Sequence, residues 1–199
     1  MLHERDTIKC ESVFNPDHSH RFLWKRVWDK DRPLACVIML NPCLADNILM
    51  DTTTYLVVNN VARLEEYGGV IVVNLYSKLT SKLNFRWNSD EDLNDPVNDS
   101  YIRKAAEECS IVIAAWGKSG ETNQRIAERI AEVMELLSGL DEKIYLISDG
   151  IRTGLHPLTP SIRQEWFLEQ LEAQTAKSSD PASAGSQKTE ATVEEKKES

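Results

Sequence analysis

The sequence predicts an α/β protein, a three-layer α/β/α arrangement around a central, mainly parallel four-stranded sheet with a β-hairpin added on its N-terminal side. Two observations carry most of this expectation. Four short, unbroken apolar runs have the character of strands buried on both faces, and amphipathic helical patterns lie between successive runs. Such alternation sets helices on both faces of a parallel sheet. The third observation is a turn-rich tetrapeptide near the N-terminus with a strand-like run on each side.

Taken in chain order, residues 10–15 and 20–28 flank Pro16-Asp17-His18-Ser19 and read as an edge hairpin. Residues 34–40 (LACVIML) form the first buried strand. Asp51 then caps a helix through Tyr55, Val58, Ala62 and Leu64, stopped by Gly68-Gly69. Residues 70–74 make the second strand, and Asp99 starts a helix through Ile102, Ala105 and Ala106. Residues 110–116 (SIVIAAW) are the third strand. Residues 121–137 give a third helix, with Ile126, Ile130, Val133, Met134 and Leu137 on one stripe. Residues 143–148 (KIYLIS) form the fourth strand, and a last helix follows Pro160 with Ile162, Trp166, Leu168 and Leu171 as its apolar set. There is no internal repeat.

The 199 residues suit one domain with an appendage, and a hydrophobic fraction of 41% is enough to build a core. We expect the domain over residues 1–172 and a disordered polar tail over 173–199, where Val193 is the sole large apolar residue. The formal charge is −9, of which the tail, with four Lys and five acids, supplies −1. The acidic domain argues against tight duplex binding, which rests on clustered Lys and Arg. No run has the length of a membrane span. The N-terminus lacks an apolar signal-peptide core, and Cys10, Cys36, Cys43 and Cys109 form no CxxC pair. The expectation is a cytoplasmic protein without membrane contact.

Ligands of open parallel sheets sit outside the carboxyl ends of the strands. There the chain places Asn41-Pro42-Cys43-Leu44-Ala45-Asp46, then Asn74-Leu75-Tyr76-Ser77, then Trp116-Gly117-Lys118, and finally Gly154-Leu155-His156-Pro157. Amides, an aromatic and an imidazole on one rim can read the hydrogen-bonding edge of a planar heterocycle and stabilise an anionic leaving group.

These motifs, MLNPCLADN…DTTT, NLY, AWG and GLHPL, with HRFLWKRVW ahead of them, resemble the family catalogued as domain of unknown function 1643 over most of residues 12–160. That family usually carries Ser where this chain has Cys43. The order strand–NP, strand–N, strand–WG and HP is also similar to the uracil-DNA glycosylase superfamily. That second resemblance implies a glycosylase-like fold, with Asn41 positioning water, Asn74 reading the base and His156 stabilising the departing base. Leu40 and Cys43 stand where glycosylases often have small residues, and the late motif lacks the serine-rich loop that enters duplex DNA.

Each feature has a structural alternative. Asn41-Pro42 also reads as a strand-ending turn, Asn74 as a loop cap, His156 as a rim histidine and Trp116 as core. Asp46 and Asp51 can be a loop carboxylate and a helix cap, and no metal is expected from them. Cys43 reads as a small thiol, or as a nucleophile if paired with His156. His18 and His20 with Cys10 lack a fourth zinc ligand at a convincing spacing and read as a solvated hairpin turn, and Lys118-Ser119-Gly120 lacks the rest of a phosphate loop.

The resulting expectation is recognition of a nucleobase, nucleoside or other small heterocycle, with hydrolysis of an N-glycosidic bond by Asn41 and His156. Pro42, Cys43, Asp46, Asn74, Trp116 and Gly117 are the expected substrate contacts. No cofactor is expected, and single-stranded nucleic acid is a further candidate partner. The alternative is a non-catalytic ligand-binding or protein-interaction module.

Overall fold

The computed structural model describes residues 2–44 and 47–171. Its strands are β1 (Lys9–Phe14), β2 (Arg21–Val27), β3 (Leu34–Met39), β4 (Gly69–Asn74), β5 (Ile111–Ala114), β6 (Ile144–Ser148) and β7 (Phe167–Gln170). Its helices are α1 (Thr52–Arg63), α2 (Asp90–Leu93), α3 (Asn98–Glu108), α4 (Ser119–Thr122) and α5 (Gln124–Leu136). The strands join one sheet in the order β1-β2-β4-β3-β5-β6-β7.

The expected parallel block is present: β3 pairs parallel with β4 and β5, and β5 with β6. The sheet as a whole corrects the expectation of four mainly parallel strands, because it is mixed and has seven. The hairpin β1–β2 joins antiparallel through β2 to β4. At the far side β7 joins antiparallel to β6.

The segment after Pro160 is the second correction. It makes a single 3-10 turn at Pro160–Ile162 and then the strand β7, not a helix. Ile162 and Trp166 do bury as apolar anchors. The residues after them satisfy the open edge of β6, whose backbone groups would otherwise lack a ladder. Residues 121–137 likewise split, because Asn123 leaves helical geometry to cap α5, its side chain accepting from Arg125 and Ile126 N–H. The proposed tail lies outside the described residues.

Alternation along the strands divides the core. Cys36, Ile38, Ile71, Val73 and Val112 face α3 and α5, meeting Ile102, Ala106, Ile126 and Val133. Ala35, Val37, Val70, Val72 and Ile113 face the other way, against Val57 and Val61 of α1 and against Ile162 and Trp166. From β3 the chain passes through α1 to β4 on one side, and it later returns to place β5 on the other. The carboxyl end of β3 is therefore the switch point of the sheet, with α1 rising from its rim.

Gly68-Gly69 does not stop α1 as expected. The helix ends at Arg63 with Leu64 as its cap, and Glu65 turns the chain at φ 57°. The two glycines instead let β4 begin in a crowded space, since a Cβ on Gly68 would lie 1.8 Å from the Asp29 carbonyl oxygen. The Gly68 carbonyl also accepts from Trp28 and Asp29 N–H, both at 2.8 Å. Gly68→Ala must displace this backbone, and overpacking of this kind costs about 1–3 kcal/mol. We expect a lower midpoint in urea unfolding by circular dichroism; an unchanged midpoint would show that the junction is not closely packed.

Candidate functional site

A cleft of about 240 Å³ opens at the carboxyl ends of β3 and β4, beside the first turn of α1. It gathers Asn41 and Cys43 from after β3, Asn74 from the end of β4, and His156 from the loop after β6. Residues distant in the chain thus meet where the switch point predicts.

Each of the three expected polar groups presents a defined atom. The Asn41 Nδ2 donates to the Thr80 carbonyl at 2.8 Å and to the Pro42 carbonyl at 3.2 Å. Carbonyls only accept, so this orientation of the amide is fixed and Oδ1 remains as its acceptor. Asn74 is 2% exposed, and its carboxamide has no hydrogen-bond partner among the described residues, although its backbone carbonyl accepts from Asn98. In His156, Nδ1 accepts the Leu158 N–H at 3.2 Å, so the neutral ring carries its proton on Nε2. Burial pushes the His156 pKa down, opposed by the negative charge of Asp51.

The wall behind these groups is built by Asp51. Its Oδ1 accepts from the Thr53 and Thr54 N–H groups at 2.8 and 3.2 Å, capping α1. Its Oδ2 accepts the Thr54 hydroxyl and the Cys43 thiol, each at 2.6 Å. Burial opposes ionisation of Asp51, but the donors Cys43, Thr54 and the two backbone N–H groups outweigh it and hold the carboxyl below its usual value. Cys43 therefore donates to the Asp51 carboxylate, which ties the exit of β3 to the start of α1. Arg21, 4% exposed, closes this side of the cleft; burial pushes its pKa down, and the neighbouring Cys43 and Asp51 oppose that shift.

Not every expected contact lies here. Trp116 is 9% exposed and, with Gly117, lines a separate cleft beside α4 and α5. Gly117 nevertheless bears on the site from behind: it sits at φ 68°, and a Cβ there would lie 2.8 Å from the His156 Cβ. Pro42 is buried next to the cleft and contributes its carbonyl to Asn41. Asp46 lies outside the described residues. Arg21, Thr53, Thr54, Thr80 and Ser81 line the cleft without having been singled out as contacts. The DTTT motif already contained two of them, and a charged residue opening an apolar strand was the available signal for Arg21. Among the described residues no group of three or more His, Cys, Asp or Glu could hold a metal ion. No described helix is long and apolar enough to cross a membrane.

These features define an α/β protein with a polar cleft at the carboxyl rim of a mixed sheet. The chain belongs to the family described as "Protein of unknown function (DUF1643)", whose profile matches residues 21–158. That span runs from Arg21 to Leu158, both in the cleft wall, and so encloses the whole described cleft. A search among curated proteins returns no match.

Two outcomes follow for the histidines. Burial holds both His20 and His156 below the ordinary imidazole value of 6.5. The unfolded chain then binds protons that the folded chain refuses, so stability falls as the pH drops through and below about 6.5. An NMR titration should show the His156 midpoint below that value, and Asp51→Asn should lower it further by removing the opposing charge. A midpoint unmoved by Asp51→Asn would break the electrostatic link between the two residues.

Proposed function

We propose that the rim cleft recognises a nucleobase or nucleoside-like heterocycle and hydrolyses its N-glycosidic bond. The observation that carries this reading is the Asn74 carboxamide, nearly buried, on the cleft wall and without a partner among the described residues. Its amide atoms are not among the polar atoms sealed from solvent without a partner, so they stand open to a ligand in the cleft. A ligand with an adjacent donor and acceptor, as in the lactam edge of a nucleobase, pairs with both ends of that amide.

The remaining groups fit the bond cleavage. As the glycosidic bond breaks, its electron pair moves onto the base, and the Nε2–H of neutral His156 donates to the oxygen on which charge accumulates. Asn41 Oδ1 accepts a hydrogen bond from water and aims the water oxygen at the sugar carbon. That oxygen bonds to the carbon, one water proton goes to the released base, and the hydroxyl remains on the sugar. A neutral imidazole suits a donor that must not protonate the base prematurely, as burial of His156 favours.

One feature favours a second reading, ligand binding without turnover. Asp51, the carboxylate in the cleft wall, already accepts four hydrogen bonds, which fills its lone-pair positions. It is not free to take a proton from water, so hydrolysis must run through a dissociative transition state that needs little base assistance.

The test is a screen for base release from nucleosides, nucleotides and single- and double-stranded DNA, alongside direct binding of the same panel. We expect release that falls about 100–1000-fold in His156→Ala, the scale for losing one anion-stabilising donor. Asn74→Ala should weaken binding of the same substrate. Binding sensitive to Asn74 without any release would select the second reading. No binding by any member of the panel would overturn both.

A further inference from the structure

Resting on the base-recognition reading, we infer that the base is presented by a single-stranded polynucleotide, which crosses the mouth of the cleft along residues 78–88. The charge distribution is the first ground. The chain carries −9, yet residues 78–88 (KLTSKLNFRWN) hold Lys78, Lys82 and Arg86 and no acid. The segment begins in the cleft itself, because Thr80 and Ser81 are wall residues.

Lys82 and Arg86 are exposed, and neither forms an ion pair among the described residues. Of the acids that follow, Asp90 pairs with Arg125 and Asp92 accepts from the Ser89 N–H, while Glu91 is exposed. Two solvent-facing cations next to a base-sized cleft suit phosphates of a strand whose base has entered it.

The second ground is an exposed aromatic platform. Trp87 is 74% exposed, and the Arg86 guanidinium lies over its ring at 5.0 Å. Cations interleaved with an exposed aromatic are the features that bind unpaired strands, whose bases can stack. Ser81 and Trp87 are six residues apart, so the platform lies within about 21 Å of the cleft wall. A few nucleotides span that distance.

The third ground is apolar surface near the cleft. Leu44 is 74% exposed, Tyr55 52% and Leu158 38%. Leu158 lines the cleft, and Leu44 and Tyr55 directly follow the wall residues Cys43 and Thr54. Apolar side chains together with the cations of residues 78–88 suit a strand that offers both bases and phosphates. A duplex offers no such exposed bases, and the acidic remainder of the chain opposes its longer phosphate track.

The experiment compares binding of the full chain to short labelled single strands, to the corresponding duplex and to the parent nucleosides. We expect the single strand to bind at least about tenfold more tightly than either the duplex or the nucleosides. Lys82→Glu with Arg86→Glu should weaken strand binding by about tenfold or more at low salt, with nucleoside binding unchanged. It should also flatten the salt dependence by about 1.4 in slope, the contribution of two single-strand phosphates. Trp87→Ala should weaken strand binding without changing that slope. If nucleosides bind in an Asn74-dependent way but strands bind no better and the charge reversals do nothing, the strand inference fails and the base reading stands. If neither nucleosides nor strands bind, the two fall together. A dimer in sedimentation that buries this apolar surface, with no strand binding, would also overturn the inference.

Discussion

Asp51 is the group on which the candidate site depends. One carboxylate starts α1 by taking two backbone N–H groups, fixes Thr54 through its hydroxyl and holds the Cys43 thiol that follows β3. Its charge stands beside the buried Arg21 and reaches His156. Without it the helix end, the strand exit and the arginine would have separate reasons to move. With it they form one wall, because charge-assisted hydrogen bonds are stronger and more directional than neutral ones. Topology adds the other half of the arrangement: the switch at β3 leaves a crevice at its carboxyl end, and α1 rises from that rim.

Legibility in the sequence followed burial. The four central strands could be read because each is apolar on both faces, and runs such as Cys36–Val37–Ile38 have no other use. Asn41, Asn74 and His156 could be read for a related reason, since polar residues directly after buried strands must emerge at the rim. The segment holding Ile162 and Trp166 has an apolar spacing that fits a helix, but the open edge of β6 decides its conformation. Edge pairing is a tertiary demand that leaves no local mark. Arg21 stands out in the sequence only as a charge opening an apolar strand; the antiparallel docking of β2 on β4 is what carries the start of β2 to the carboxyl rim. Their place after β5 points Trp116 and Gly117 toward the site, but both line a separate cleft, and only Gly117 bears on the site, by making room for His156.

The family match and the geometry delimit the same part of the chain, from Arg21 to Leu158. Within it, the opposite charges of Arg21 and Asp51 offset each other, burial favours a neutral His156, and the amides of Asn41 and Asn74 supply directional hydrogen bonds. Such a cleft is suited to a neutral, planar, hydrogen-bonding ligand more than to a free anion or a metal complex. The acidity of the chain as a whole is consistent with recognition at the level of one base.

The most direct measurement of the central claim is NMR of protein labelled at asparagine and histidine side chains during titration with a panel of nucleobases and nucleosides. The account predicts that the Asn74 carboxamide and His156 Nε2 signals move together and saturate with one ligand class, while Asn60, buried away from the cleft, stays in place. Shifts that leave Asn74 and His156 unmoved across the whole panel would contradict it.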